Sequence, residues 1–491
     1  MRKNLQLIVF CLALSAWTSA LGFDFSDVQA LAKERAARPY REPDHPLPPA
    51  LADLKYEAYQ RISVKASNAL WMDDNLPFRV EFFHRGNFHV NRVALNEIND
   101  GKSAEIPFQK AFFDYGTNQI EIAADLGYAG FRVITTGKEP QEIAVFLDAT
   151  YSRMIGTDQA YGTSARGLAF DTGLDTKEEF PLFDQFWIGR PNPNDKSLTI
   201  FALMDSPSAA GAYRYVITPG SETVAVVTAT VIQRKSVKKF GLAPLSSMFL
   251  HGKNGRPLWT DFRPEVHDSD GLLIKTGQGE WIWHALENGK MIRFNAFQDE
   301  NPQGFGLIQR ERNFEQYQDL QAFFHLRPNV WIQPRGKWGK GAVELVQLPS
   351  QIEFTDNVVA FWAPETLPAL GEAFDFEYEL HWTRVDPSDP QMGQVIASRV
   401  SRVRDTKNLR FVIDFGGRRM KGLAAREQLA LDLKFSPNVK FVADSVFKNE
   451  LNETWRVVVE IEEPSEVADL RAYLKRDEKQ ATETWTFTWQ P

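Results

Sequence analysis

The chain has almost no cysteine: Cys11 is the only one among 491 residues, and it lies inside the apolar stretch that opens the sequence. Neither a disulfide nor a lipid anchor is therefore expected on the mature protein, and stability must come from core size. Long apolar runs are missing beyond residue 22. None approaches the roughly 18 to 20 residues that a membrane span needs, so no stable membrane insertion is expected. Basic runs are missing too. The formal charge is −8; residues 1–22 carry Arg2 and Lys3 and no acid, so without them 54 Lys+Arg face 64 Asp+Glu, a balance of −10. That excess argues against nucleic acid or an anionic lipid surface as partner. No internal repeat and no low-complexity segment is evident.

Three kinds of reaction centre are also missing. His84 and His89 stand at an odd spacing on a predicted strand, which puts them on opposite faces, and no third ligand is near in sequence. No metal site and no cofactor is expected. YGTSARG around Ser164 carries Arg166 where a nucleophile elbow needs its last glycine. QGFG, residues 303–306, lacks the lysine of a phosphate-binding loop and reads as a turn entering a strand.

What is present begins with a secretory signal. MRKNLQLIVFCLALSAWTSALG, residues 1–22, has a basic start, an apolar run and small residues before a cleavage point. Its single arginine favours the general export route over the twin-arginine one. The mature chain opens with FSDVQALAKERAA, where Ser26 and Gln29 predict a capping box and Pro39 lies beyond the helix end. LADLKYEAYQRI predicts a second helix. From Phe78 the texture is β: FRVEFFH, LTIFALM, YRYVITP, ETVAVVTATVIQ and VELVQL are short, rich in Val, Ile, Phe and Tyr, and bounded by turn residues. The fold class expected is all-β, with a large β-sandwich over residues 23–385 and FDFEYELHW as its last strand. VDPSDPQMG opens an expected linker, 386–404. Residues 405–491, with LRFVIDF, ALDLKF, WRVVVEIE and TWTFTW, predict a small immunoglobulin-like sandwich.

Seven of the twelve tryptophans outside the signal lie between Trp259 and Trp382, among acidic turns. Sugars present apolar C–H faces to aromatic rings and hydroxyls to carboxylates, amides and guanidinium groups, so this mixture suits a carbohydrate cleft. Core packing is the competing reading for each tryptophan. Trp281, Trp283, Trp338 and Trp362 are candidate stacking platforms, Trp281 and Trp283 sharing one strand face. Tyr161, Arg166 and Glu280 are candidate hydroxyl partners. Acid chemistry on a glycosidic bond needs two carboxyl groups. Asp268, in the turn-rich VHDSDG, and Asp356, just before a strand in TDNVVAFW, stand where a sandwich presents residues at its rim.

The strings YGTSARGLAFDT, KEEFPLFDQFW, FRPEVHDSDGL, GEWIW, NPQGFGLIQR, KWGKGAVEL and TDNVVAFW, in this order, resemble the periplasmic glucan biosynthesis proteins of the OpgG/OpgD (MdoG/MdoD) type. The resemblance covers nearly the whole mature chain. It implies a galactose-mutarotase-like large sandwich, an immunoglobulin-like C-terminal domain, periplasmic location and a role in making osmoregulated periplasmic glucans. It also implies inverting endo-acting cleavage of β-1,2-glucan, with Asp356 as general acid and Asp268 as general base; such an acid must be protonated at neutral pH, which requires burial or a carboxylate neighbour such as Glu353 or Asp268. HDSD is closer to the D type, whereas the export signal is not the twin-arginine kind common there, so the subtype stays open. So does a second class of function, a non-catalytic glucan-binding factor supporting backbone synthesis or export. A homodimer, or contact with inner-membrane synthesis machinery, is compatible with both.

Overall fold

The computed structural model describes residues 22–122, 125–147, 149–174, 178–254 and 260–491. Nearly all of the expected signal, and Trp259, lie outside them. The alternating segments form strands as expected, and two large sheets pack face to face. One, of ten strands, includes Phe78–His84, Tyr128–Thr135, Glu142–Leu147, Ser152–Met154, Ser164–Ala165, Phe240–Ser247, Val358–Pro364, Lys340–Gln347 and Arg293–Glu300 in spatial order. The other, of fifteen, has Ala373–Thr383 between Thr223–Gln233 and Asn329–Arg335. Aromatic rings from both sheets interlock: Phe131 meets Phe186 edge-on at 5.1 Å, and Phe146 meets Tyr215 at 5.2 Å. Such offset and edge-on pairs are the favoured aromatic arrangements in a dry core.

The N-terminal helix, Phe25–Ala36, lies on the outer face of the larger sheet and buries Val28 and Ala32 beside Trp187 and Leu203. Its cap differs from the expected one. Asp24 accepts from the Ser26 amide at 2.7 Å while Asp27 accepts from the Asp24 amide at 2.8 Å. A carboxylate two residues earlier takes the capping position, leaving Ser26 inside the first turn. LADLKYEAYQRI does not make one helix; it breaks into single turns at Pro49–Ala52 and Tyr56–Tyr59. His84 ends its strand and is buried, and burial lowers its imidazole to about 4. His89 lies beyond the strand, in an isolated bridge to Gly86 that closes a turn.

The small C-terminal unit begins earlier than the expected linker allows. Gln394–Arg402 is a strand paired with Asn408–Gly416, with Val395 buried; only the proline-bearing stretch before it connects. Its four-stranded sheet also holds Thr454–Glu462 and Phe441–Asn449. The facing strands, Ala430–Phe435, Ala468–Arg476 and Thr484–Trp489, continue the fifteen-stranded sheet, because Trp281–Ala285 pairs in parallel with Thr484–Trp489. Arg310 closes the junction. It donates to Glu483 at 2.7 and 2.9 Å, to Asp386 at 2.8 Å and to the Val395 carbonyl at 2.7 Å, and its guanidinium lies 3.8 Å from the Trp283 ring centroid.

Candidate functional site

Three distant segments converge on Ser246 and Ser247. The strand Phe240–Ser247 pairs on one side with Ser164–Ala165, Ser246 opposite Ser164, and on the other with Val358–Pro364, Ser247 opposite Val358. The chain then makes a short ladder, Phe249 opposite His267, and the Asp268 amide donates to the Met248 carbonyl at 2.8 Å. Asn357 clamps the same place: its Oδ1 accepts from the Phe249 amide at 2.9 Å, and its Nδ2 donates to the Phe249 and Leu348 carbonyls, both at 3.0 Å. Asp268, through its backbone amide, and Asn357, the residue after Asp356, are thus both tied to residues 248–249. Because Asn357 is fully buried, Asn357→Ala should leave unpaired backbone groups and cost roughly 1–3 kcal/mol, measured by denaturant unfolding.

The two aspartates differ in surroundings. Asp268 is buried and ion-paired to Arg327, whose guanidinium also stacks on Phe324 at 4.2 Å. Burial pushes the Asp268 carboxyl up; Arg327 opposes that, and the charge of Asp356 reinforces it. Asp356 keeps 29 % of its side-chain surface and stands 4.0 Å from Arg153. Arg153 in turn donates from Nε to Ser164 Oγ at 2.6 Å. Asp356 and Arg153 line a cavity of about 230 Å³ with Tyr151, His89, Val145 and Leu147. His267, beside Asp268, stacks on Phe249 and holds Gln309 and Glu265 through its two ring nitrogens, each at 2.8 Å. Among the described residues no cluster suits a metal ion.

The other expected site residues are dispersed. Arg166 donates to Glu178 at 2.8 Å and lies over Tyr151 at 5.0 Å, so it supports the cavity wall from behind. Tyr161 is partly buried, and burial with the nearby Glu142 carboxylate raises its hydroxyl. The next residue, Gly162, lies against Arg327: a Cβ there would come within 2.9 Å of that side chain. Glu353 is paired with Arg263, so it does not act as the carboxylate neighbour expected for Asp356.

Glu280 faces the small unit, accepting from Thr484 at 2.5 Å and pairing with Arg471, and is a junction residue, not a cleft one. Trp281 and Trp283 do share a face, but the C-terminal unit packs on it. Trp283 is enclosed between Gly271, where a Cβ would meet its ring at 2.1 Å, and Arg310. Trp281 leans on Trp331 at 5.8 Å under Lys275. Trp362 is wholly buried and Trp338 packs on it at 6.4 Å, donating to the Glu377 carbonyl at 3.3 Å. Trp362 lies on the strand Val358–Pro364, and Asp356 precedes that strand by two residues. Trp283 and Trp362 are junction and core groups; Trp281, largely buried, still lines a cavity of about 550 Å³ with Trp331, Lys275 and Gln303, and Trp338 is partly exposed. Sequence reading missed Tyr151, Arg153 and Arg327, which carry no local motif.

The chain matches the family described as "Periplasmic glucan biosynthesis protein, MdoG" over residues 23–489. It is 42% identical to "Glucans biosynthesis protein G" of Ralstonia nicotianae over 505 aligned residues, covering 99% of this chain and 100% of that one. Proteins with the same name from Pseudomonas paraeruginosa and Pseudomonas aeruginosa are each 41% identical, covering 95% of this chain and 92% of theirs. The match spans both sandwiches and every segment that builds the aspartate site. The chain therefore belongs to the MdoG family of periplasmic glucan biosynthesis proteins.

Proposed function

We propose that this protein acts in the periplasm in the biosynthesis of osmoregulated glucans, as an inverting endo-β-1,2-glucanase with Asp356 as general acid and Asp268 as general base. The observation that carries the reading is that the segments bearing these two carboxyl groups, of unlike burial, are joined at residues 248–249 through the Asp268 amide and the Asn357 side chain, with Asp356 on the wall of an open cavity. Unlike environments are how two carboxyl groups take opposite roles in one reaction. A raised Asp268 carboxyl is a stronger base once ionised, and Arg327 holds it in one orientation. Asp356, at the cavity wall, is the group that a substrate can reach and cover. Membership of the family and the names of its relatives support the glucan as substrate; no helix among the described residues is long and apolar enough to cross a membrane.

Inversion separates this mechanism from one through a covalent intermediate. Products followed by NMR immediately after cleavage should carry the inverted anomeric configuration; retained configuration would require a nucleophile and remove Asp268 as base. The pH dependence has a definite sign. A base works ionised, so cleavage should fall as pH drops, and because burial raises Asp268 the acid limb should lie above the usual aspartate value of about 3.9. A limb at or below that value would contradict the assignment.

One observation favours a non-catalytic glucan-binding role instead: Asp356 is partly open to water and has a guanidinium beside it, whereas a general acid is best kept dry. On the hydrolytic reading the bound glucan supplies that cover.

A further inference from the structure

Arg263 is the centre of an ion-pair cluster next to the aspartate site. It donates to both carboxylate oxygens of Asp261 at 2.9 and 3.0 Å and to Asp319 at 2.7 Å, and pairs with Glu353. All four side chains are largely shielded, with 12 to 24 % of their surface exposed. Their sequence neighbours are not. Phe262 is 77 % exposed, Leu320 74 %, Ile352 56 % and Phe354 88 %. Single exposed apolar residues are ordinary, but four large ones set around one buried ionic hub form a patch that calls for an occupant. The loops that carry them are pinned: Asp319 also accepts from the Gln321 and Ala322 amides, and Ser350 bonds both the amide and the carbonyl of Ile352. Binding there would therefore order little further chain.

We propose that this patch is an accessory saccharide site, with Phe354 and Phe262 as stacking platforms for glucan units that extend beyond the bond held at Asp356. The proposal rests on the functional reading above. Its occupant follows from continuity and charge. Phe354 precedes Asp356 by two residues on a loop fixed by the Asn357 clamp, so a chain lying across Asp356 passes onto it. The hub sets one guanidinium against three carboxylates, which disfavours a polyanion. Phenylalanine faces beside carboxylate oxygens suit the C–H faces and hydroxyls of a neutral sugar chain.

The test measures dissociation constants by calorimetry in the full-length Asp356→Asn protein, where turnover is suppressed. Two linear β-1,2-glucan oligosaccharides serve as probes: one short enough to end at the Asp356 cavity, one several glucose units longer. Phe354→Ala and Phe262→Ala should each weaken the longer probe about three- to tenfold and leave the shorter unchanged, and Phe354→Tyr should restore binding. Equal loss for both probes, or none for the longer one, overturns the site while the functional reading stands. A change in oligomeric state by light scattering, with glucan binding intact, assigns the patch to a protein partner and also overturns it. If the parent binds neither probe, the functional reading fails and takes this site with it.

Discussion

Asp356→Asn should lower glucan cleavage at least about a hundredfold while leaving glucan binding within a few-fold of the parent. Asparagine keeps the shape of the side chain and its place after the Asn357 clamp, but it has no proton to give to a departing sugar oxygen. General acid catalysis contributes typically 10²–10⁴-fold, and the loss should fall on kcat because the proton moves only in the transition state. Among the described residues the side chain accepts no hydrogen bond that holds the fold together, and its ion-pair partner, Arg153, is anchored independently on Ser164. Stability should therefore change little, and circular dichroism with a denaturant titration checks that the loss is chemical. Cleavage within a few-fold of the parent would take Asp356 out of the mechanism.

Arg310→Ala should destabilise the whole protein by about 3–5 kcal/mol, the usual cost of stripping one partner from a buried ion pair. Glu483 is fully buried and takes both its Arg310 bonds from that one guanidinium. Removing it leaves Glu483 and Asp386 with uncompensated charge at the junction of the two sandwiches, and opens one face of Trp283. Urea unfolding should show one cooperative transition moved to lower denaturant, because the sheet runs without a break from Trp281–Ala285 into Thr484–Trp489. Two separate transitions, or a loss below about 1 kcal/mol, would mean that the units are stabilised independently.

The strands were legible because alternation of apolar and polar residues is a local property; the segments named from the sequence are found as strands, except that the strand predicted to carry both His84 and His89 ends at His84. The junction was not. Trp281–Ala285 and Thr484–Trp489 are far apart in the chain, and parallel pairing between them leaves no local signature. The same non-local contact explains the tryptophans. GEWIW looks like a cleft segment because its polar neighbours are close in sequence, but Glu280 reaches across to Arg471 and Thr484 and the rings are covered from the far end of the chain. Exposed aromatic groups instead flank the Arg263–Glu353 pair, Phe262 and Phe354, in segments without a local carbohydrate-binding signal. Asp268 and Asp356 themselves were ordinary turn aspartates by local pattern and gained weight only through the family resemblance. What the fold adds is the reason they come together: the Phe249–His267 ladder and the Asn357 clamp, neither of which has a motif.

Glucan cleavage, beyond glucan binding, is the activity proposed for this chain. Purified mature protein incubated with linear β-1,2-glucan, the products resolved by chromatography beside an Asp356→Asn control, tests it most directly. Shorter β-1,2-linked oligosaccharides that accumulate with the parent and not with the variant are the predicted result. Unchanged glucan in the presence of protein that binds it would contradict the hydrolytic mechanism and leave the non-catalytic role.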